Sequence, residues 1–124
     1  MTMQVPHNAV LLRIFFGEND KFFGENDKFE SLPLYEAIVL KAREVGLAGA
    51  TVIRGNVGYG HSSHIHTTKI LRLAQDLPVI VEIVDAQDKI EKFLPVLDPM
   101  MSSGLITMEN VRVLQYGTEK SQPG

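Results

Sequence analysis

The order of segments along this chain predicts an α+β domain of the ferredoxin-like βαββαβ plan, an antiparallel four-stranded sheet with two helices on one face. Three observations predict it. Four apolar, branched runs have strand length and are bounded by turn residues. Two further stretches repeat their apolar residues at helical spacing. The two kinds alternate as strand, helix, strand, strand, helix, strand.

The elements follow in order. Residues 9–16 are apolar and branched enough for a first strand. Residues 15–21, Phe-Phe-Gly-Glu-Asn-Asp-Lys, are then repeated unchanged as residues 22–28. A seven-residue repeat is too short for a solenoid. It reads as a local duplication in a surface loop, where insertions cost little, and the Gly-Glu-Asn-Asp cores favour bends. Pro33 stands where a helix begins, with Glu36 in the first turn. Leu34, Ile38, Ala42 and Val45 recur at helical spacing, widened by Tyr35 and Val39, until Gly46 and Gly49 end the run. A second strand is expected over residues 50–57, followed by a Gly- and His-rich stretch over 58–69.

Residues 79–84 form a third strand that is apolar at every position except Glu82, as in strands covered on both faces. Asp85 is placed to cap a second helix carrying Ile90, Phe93, Leu94 and Leu97 on one side. Pro95 predicts a kink or early stop there. Residues 98–104 read as a loop and 105–116 as the last strand. The domain is thus expected over residues 9–117, with a disordered N-terminal segment at 1–8 and a flexible tail at 118–124. Two helices cover one sheet face only, so the apolar third strand calls for a second copy of the chain on the other.

Composition narrows the function classes. The 124 residues carry a net charge of −3 with twelve Lys and Arg scattered along the chain, so no basic stripe for nucleic acid is present. Cysteine is absent, which removes disulfides, thiolate metal sites and cysteine nucleophiles and fits a cytoplasmic protein. No apolar run approaches a membrane span, and the first eight residues lack the apolar core of a signal peptide. The five methionines read as packing residues, Met100, Met101 and Met108 among them.

The informative stretch is Arg54-Gly55-Asn56-Val57-Gly58-Tyr59-Gly60-His61. Its glycines allow close approach of backbone to a ligand, free amides of such a turn can cradle an anion, and Arg54 offers a planar fork to phosphate or carboxylate. Tyr59 is suited to stacking on a base. The glycine spacing matches neither a dinucleotide fingerprint nor a P-loop, and a plain hairpin loop would need glycines too. His61, His64 and His66 lie within six residues, a density that suits zinc or copper, although no carboxylate precedes Asp76 as a fourth ligand. Glu82, inside an apolar strand, either faces an interface and meets an arginine or lines a site, and the structural pairing is the reading favoured. Lys69, Arg72 and Arg112 are candidates for extra positive charge at an anion site. Ser62 and Ser63 lack a nucleophile-elbow context, and no acid–base pair stands at a persuasive spacing, so no enzymatic activity is expected.

The runs Leu12-Arg13-Ile14-Phe15-Phe16-Gly17-Glu18, Pro33-Leu34-Tyr35-Glu36, Gly49-Ala50-Thr51-Val52-Ile53-Arg54-Gly55, Gly58-Tyr59-Gly60-His61 and Leu77-Pro78-Val79-Ile80-Val81-Glu82-Ile83-Val84-Asp85 together resemble the uncharacterised PII-like family known as domain of unknown function 190. The resemblance covers roughly residues 9–117, and removing one copy of the repeat restores the family spacing between first strand and first helix. It implies a homotrimer with sheets facing inward and adenine nucleotides bound in clefts between subunits. It also implies a loop after the second strand that signals to a protein partner. Ligand-binding roles fall by position on Arg54, Gly55, Gly58, Tyr59, Gly60 and His61. No cofactor is required. The Gly- and Lys-rich second nucleotide loop of true PII proteins has no counterpart in residues 98–104, which favours a smaller nucleotide such as AMP over ATP. The alternative is a trimeric metal-binding module using His61, His64 and His66.

Overall fold

The computed structural model describes residues 8–23, 31–55 and 77–115. The first strand, β1 (Asn8–Gly17), is followed by a short hairpin of β2 (Lys21–Phe22) and β3 (Leu32–Pro33), helix α1 (Leu34–Glu44) and strand β4 (Thr51–Arg54). Strand β5 (Pro78–Asp85), helix α2 (Gln87–Leu97), a 3-10 turn (Asp98–Met100) and strand β6 (Leu105–Arg112) complete the chain. The main sheet has the order β4-β5-β1-β6 and every pairing is antiparallel. With two helices and the β2–β3 hairpin added, this is the ferredoxin-like plan that the order of segments predicts.

Alternation in β1 explains which face is covered. Val10, Leu12, Ile14 and Phe16 are buried, whereas Leu11, Arg13 and Phe15 between them are only partly so. Val79, Val81 and Ile83 continue the buried side in β5. Both helices pack there. Leu34, Ala37, Ile38 and Ala42 come from α1, and Ile90, Phe93 and Leu97 from α2. The expected helix stripe needs one change: Val45 is 48% exposed, and Ala37 takes the place in the core. Val45 lies at the C-cap, where the helix turns away from the sheet.

The helix ends have clear causes. At the start of α1, the Leu34 N–H donates to the Asp20 carbonyl at 2.8 Å, so backbone from the β1–β2 turn satisfies a helical donor without a side-chain cap. At its end, Gly46 adopts φ 90°, Leu47 N–H donates to the Ala42 carbonyl and Gly46 N–H to that of Arg43. Those two bonds and the left-handed glycine form a Schellman motif.

Pro95 lies inside α2, which runs two residues beyond it to Leu97 and tightens into the 3-10 turn. The two buried residues flanking Pro95, Phe93 and Leu97, offset the backbone hydrogen bond that proline removes. Asp85 does not cap α2, whose N-cap is Ala86 without a side-chain bond. Instead the buried Asp85 carboxylate accepts from the Ala86 N–H at 2.7 Å and the Ala48 N–H at 2.9 Å, tying the α1–β4 connection to the end of β5.

The strands otherwise match their expected positions. The first begins one residue earlier, at Asn8, and within the described residues the second and last are shorter than expected. Of the N-terminal segment expected over 1–8, Asn8 belongs to β1; residues 1–7, the expected tail at 118–124 and most of the second heptad copy lie outside the described residues. No helix among the described residues is long and apolar enough to cross a membrane.

Candidate functional site

Arg54 ends β4 on the helix side of the sheet, directly across from Val79. Its neighbours are drawn from three separate places in the chain. Arg54 Nε donates to Glu18 Oε2 at 2.8 Å, and Nη2 donates to the Tyr35 hydroxyl at 3.2 Å. The guanidinium carbon lies 5.3 Å from the centroid of the Tyr35 ring, within cation–π range. Tyr35 is placed by the first turn of α1, and Glu18 by the turn that follows β1. Arg54 remains half-exposed. Among the described residues its Nη1 group has no partner, so Nη1 and the remaining Nη2 hydrogen can still donate to an oxyanion.

The backbone beneath this group is closed by short bonds. Gly55 N–H donates to the Pro78 carbonyl at 2.8 Å, and Glu18 N–H donates to the Leu77 carbonyl at 2.7 Å. Residue 18 therefore holds both legs of the chain that leave and re-enter the sheet, Arg54 through its side chain and Leu77 through its backbone. Gly55 is required by contact: a Cβ there would stand 2.9 Å from Pro78 Cγ. Its amide is already engaged, so what Gly55 offers a site is the space of a missing side chain.

Of the residues singled out in the sequence, the structure brings Arg54 and Gly55 together at the end of β4. Gly58, Tyr59, Gly60 and His61, the histidines His64 and His66, and Lys69 and Arg72 lie outside the described residues. Among the described residues no cluster of three metal-ligating side chains occurs. Arg112 cannot join Arg54 within one chain. It pairs with Asn8 while Arg54 is in register, through Val79, with Phe16, and the eight steps between span about 27 Å.

Glu82 meets an arginine, as expected of a carboxylate in an apolar strand. The partner is Arg13, its direct cross-strand neighbour, with Nε to Oε2 at 2.9 Å and a second contact from Arg13 Nη1 to Glu109 at 3.5 Å. The pair stands on the sheet face away from the helices. A groove of about 450 Å³ also opens on that side, lined by Gly49, Thr51, Glu82, Val84, Asp85 and Val113 among others. It lies towards the other end of β4 and β5 from Arg54. Among the described residues its lining holds two carboxylates and no cation, and both carboxylates are engaged.

Sequence reasoning missed Glu18 and Tyr35. A signal for Glu18 was present: of two identical Gly-Glu-Asn-Asp turns, only the first directly continues β1. Tyr35, in the first turn of a helix packed on the sheet, has the reach of a partner for a strand-end arginine.

Comparison with known proteins places the chain. The model of the DUF190 family, described as "Uncharacterized ACR", matches residues 9–113. A UPF0166 protein of Aquifex aeolicus is 41% identical over 104 residues, covering 84% of this chain and 91% of the relative. A UPF0166 protein of Methanocaldococcus jannaschii is 36% identical over 111 residues, covering 89% and 95%. Among solved structures, CPII of Thiomonas intermedia K12 bound to ADP and bicarbonate is similar at 15% identity and a TM-score of 0.48, over 87% of this chain and 90% of that one. The B. subtilis GlnK-ATP complex is similar at 10% identity and a TM-score of 0.46, over 86% and 84%. The chain belongs to the DUF190 family.

Proposed function

We propose that this DUF190 member is a non-enzymatic regulatory protein that binds a small phosphate-bearing ligand, an adenine nucleotide of the AMP type, at clefts between subunits of a homotrimer. The observation that carries the reading is the state of Arg54. Its guanidinium is fixed by Glu18 and Tyr35, half-exposed, with Nη1 and one Nη2 hydrogen unspent among the described residues. An arginine held this way loses little conformational entropy when it takes an oxyanion, and its planar fork matches two phosphate oxygens. Gly58, Tyr59, Gly60 and His61 follow Arg54 closely in sequence and join it in this proposal, the glycine amides on phosphate and Tyr59 on the base.

The open sheet face supports the assembly. Register carries Ile53, Ile80, Phe15 and Leu105 side by side across all four strands, and Ile53 and Leu105 are 41% and 56% exposed. A continuous apolar row of this kind is stabilised by burial against a like surface. Signalling then follows if the ligand binds two states of the His-rich stretch with different affinity, so that a partner protein reads occupancy.

Calorimetric titration with AMP, ADP, ATP and cyclic AMP tests the reading. Saturable heat with at least one nucleotide is expected, lost or weakened at least about tenfold in Arg54→Ala, since a charge-assisted bond contributes about 1.5–3 kcal/mol. Absence of heat with all four ligands would count decisively against it. Zinc and copper dialysis against a His64→Ala, His66→Ala variant separates the metal-binding alternative.

A further inference from the structure

We infer that Glu18 sets the charge class of the ligand at Arg54: by neutralising the guanidinium it suits the site to anions of low charge, a single phosphate, and disfavours di- and triphosphates. The inference rests on the reading of Arg54 as the anion-binding residue. Three observations carry it.

The first is the pairing itself. Glu18 Oε2 stands 2.8 Å from Arg54 Nε, and the Glu18 side chain is the more buried of the two, 25% exposed against 47%. Among the described residues neither partner makes a second ion pair, so the pair is neutral as a unit.

The second is rigidity. A surface carboxylate would swing away when an anion arrives, and its repulsion would fade into solvent. Glu18 is held at its backbone, where its N–H donates to the Leu77 carbonyl at 2.7 Å. The turn that carries it is fixed in the same way. Asp20 N–H donates to the Gly17 carbonyl at 3.1 Å, and the Asp20 carboxylate accepts from the Gly17 N–H at 3.3 Å.

The third is geometry. Nε is taken by Glu18 and one Nη2 hydrogen by Tyr35, which leaves Nη1 and the other Nη2 hydrogen for a ligand. A phosphate there would lie on the order of 5–6 Å from the Glu18 carboxylate, the range in which a like charge disfavours ionisation of its neighbour. One phosphate feels that repulsion once and gains the fork. Each further phosphate adds negative charge beside the same carboxylate. Arg112, a candidate for extra positive charge, stands at the far end of the sheet.

The experiment is calorimetric titration of the full chain with AMP, ADP and ATP at one ionic strength and without divalent cations. Wild type and Glu18→Gln are compared, because glutamine keeps an acceptor for Nε and removes the charge. Wild type is expected to bind AMP at least as tightly as ATP. Glu18→Gln is expected to strengthen ATP binding about tenfold, the equivalent of one pKa unit of charge interaction, and AMP binding less. A wild-type preference for ATP of tenfold or more overturns the inference, and that comparison needs no variant to fold. An unchanged ATP-to-AMP ratio in Glu18→Gln overturns it as well, while leaving Arg54 as the anion site. If wild type and variant bind none of the three, the Arg54 reading itself fails and the role of Glu18 falls with it.

Discussion

Both faces of the sheet carry apolar side chains, but the two are organised differently. On the helix side, Leu12, Ile14, Val79, Val81 and Ile83 interdigitate with Ile38, Ile90, Phe93 and Leu97, all at 1% exposure or less. Asp85 and Arg54, charged groups on that side, stand at strand ends. The other face is banded by register. The row Ile53-Ile80-Phe15-Leu105 is apolar, and the row Thr51-Glu82-Arg13-Thr107 beside it is polar, with an ion pair at its centre. Beyond it, Val84 and Leu11 lie next to Glu109. A core of one chain needs only volume and shape. A surface that meets another copy also needs a register, and a fixed charged row beside an apolar one provides it. The contrast teaches that apolar side chains form a continuous layer where the helices cover the sheet and are split into bands by a charged row where they do not.

The largest expected effect is on the covered face. Phe93→Ala should lower unfolding free energy by about 3–5 kcal/mol in urea denaturation, because it deletes a fully buried aromatic ring. A loss under about 1 kcal/mol would mean the helix side is not the folding core. Next is Gly104→Ala at the entry to β6. Gly104 has φ 135°, and a Cβ there would stand 2.5 Å from the Phe15 carbonyl oxygen. Strain of that kind costs about 1–3 kcal/mol and should read out in the same assay.

Substitution on the open face should behave differently. Leu105→Ser is expected to cost less than about 1 kcal/mol at high dilution, since the side chain is already exposed in the single chain. Its cost should grow with protein concentration, because assembly adds to stability by mass action. A concentration-independent cost would remove the distinction between the faces. The smallest effect belongs to Glu82→Gln. Both partners of the Arg13–Glu82 pair are about a third exposed, so screening limits the loss to less than about 1 kcal/mol in the single chain. Its readout is the order of assembly, which loses its charged register.

Much of this was legible in the residues. The apolar runs at 9–16 and 79–84 located β1 and β5, and the Leu34–Ile38–Ala42 spacing located the core face of α1, because hydrophobic burial is tied to element geometry; which face of each strand is covered emerged only from the burial pattern. Gly46 marked the end of α1 because few other residues accept a positive φ. What was not legible depended on contacts distant in sequence. Asp85 looked like a helix cap, and its acceptor role toward Ala48 is set only when the α1–β4 connection folds over β5. Pro95 was read from its local penalty, while tertiary packing of Phe93 and Leu97 decided the helix length. At the site, Arg54 and Gly55 stood out by residue type, but Glu18 lies 36 positions away and Tyr35 19, and only the sheet order brings them together. Arg13 carried a usable sign, as a lone cation at an open-face position of an apolar strand.

The claim on which the rest depends is that the banded face is covered by sister chains. Sedimentation equilibrium of the full chain across micromolar concentrations tests it most directly. The account predicts the mass of three chains, falling toward that of one in Leu105→Ser. A single-chain mass throughout for the unsubstituted protein would contradict it.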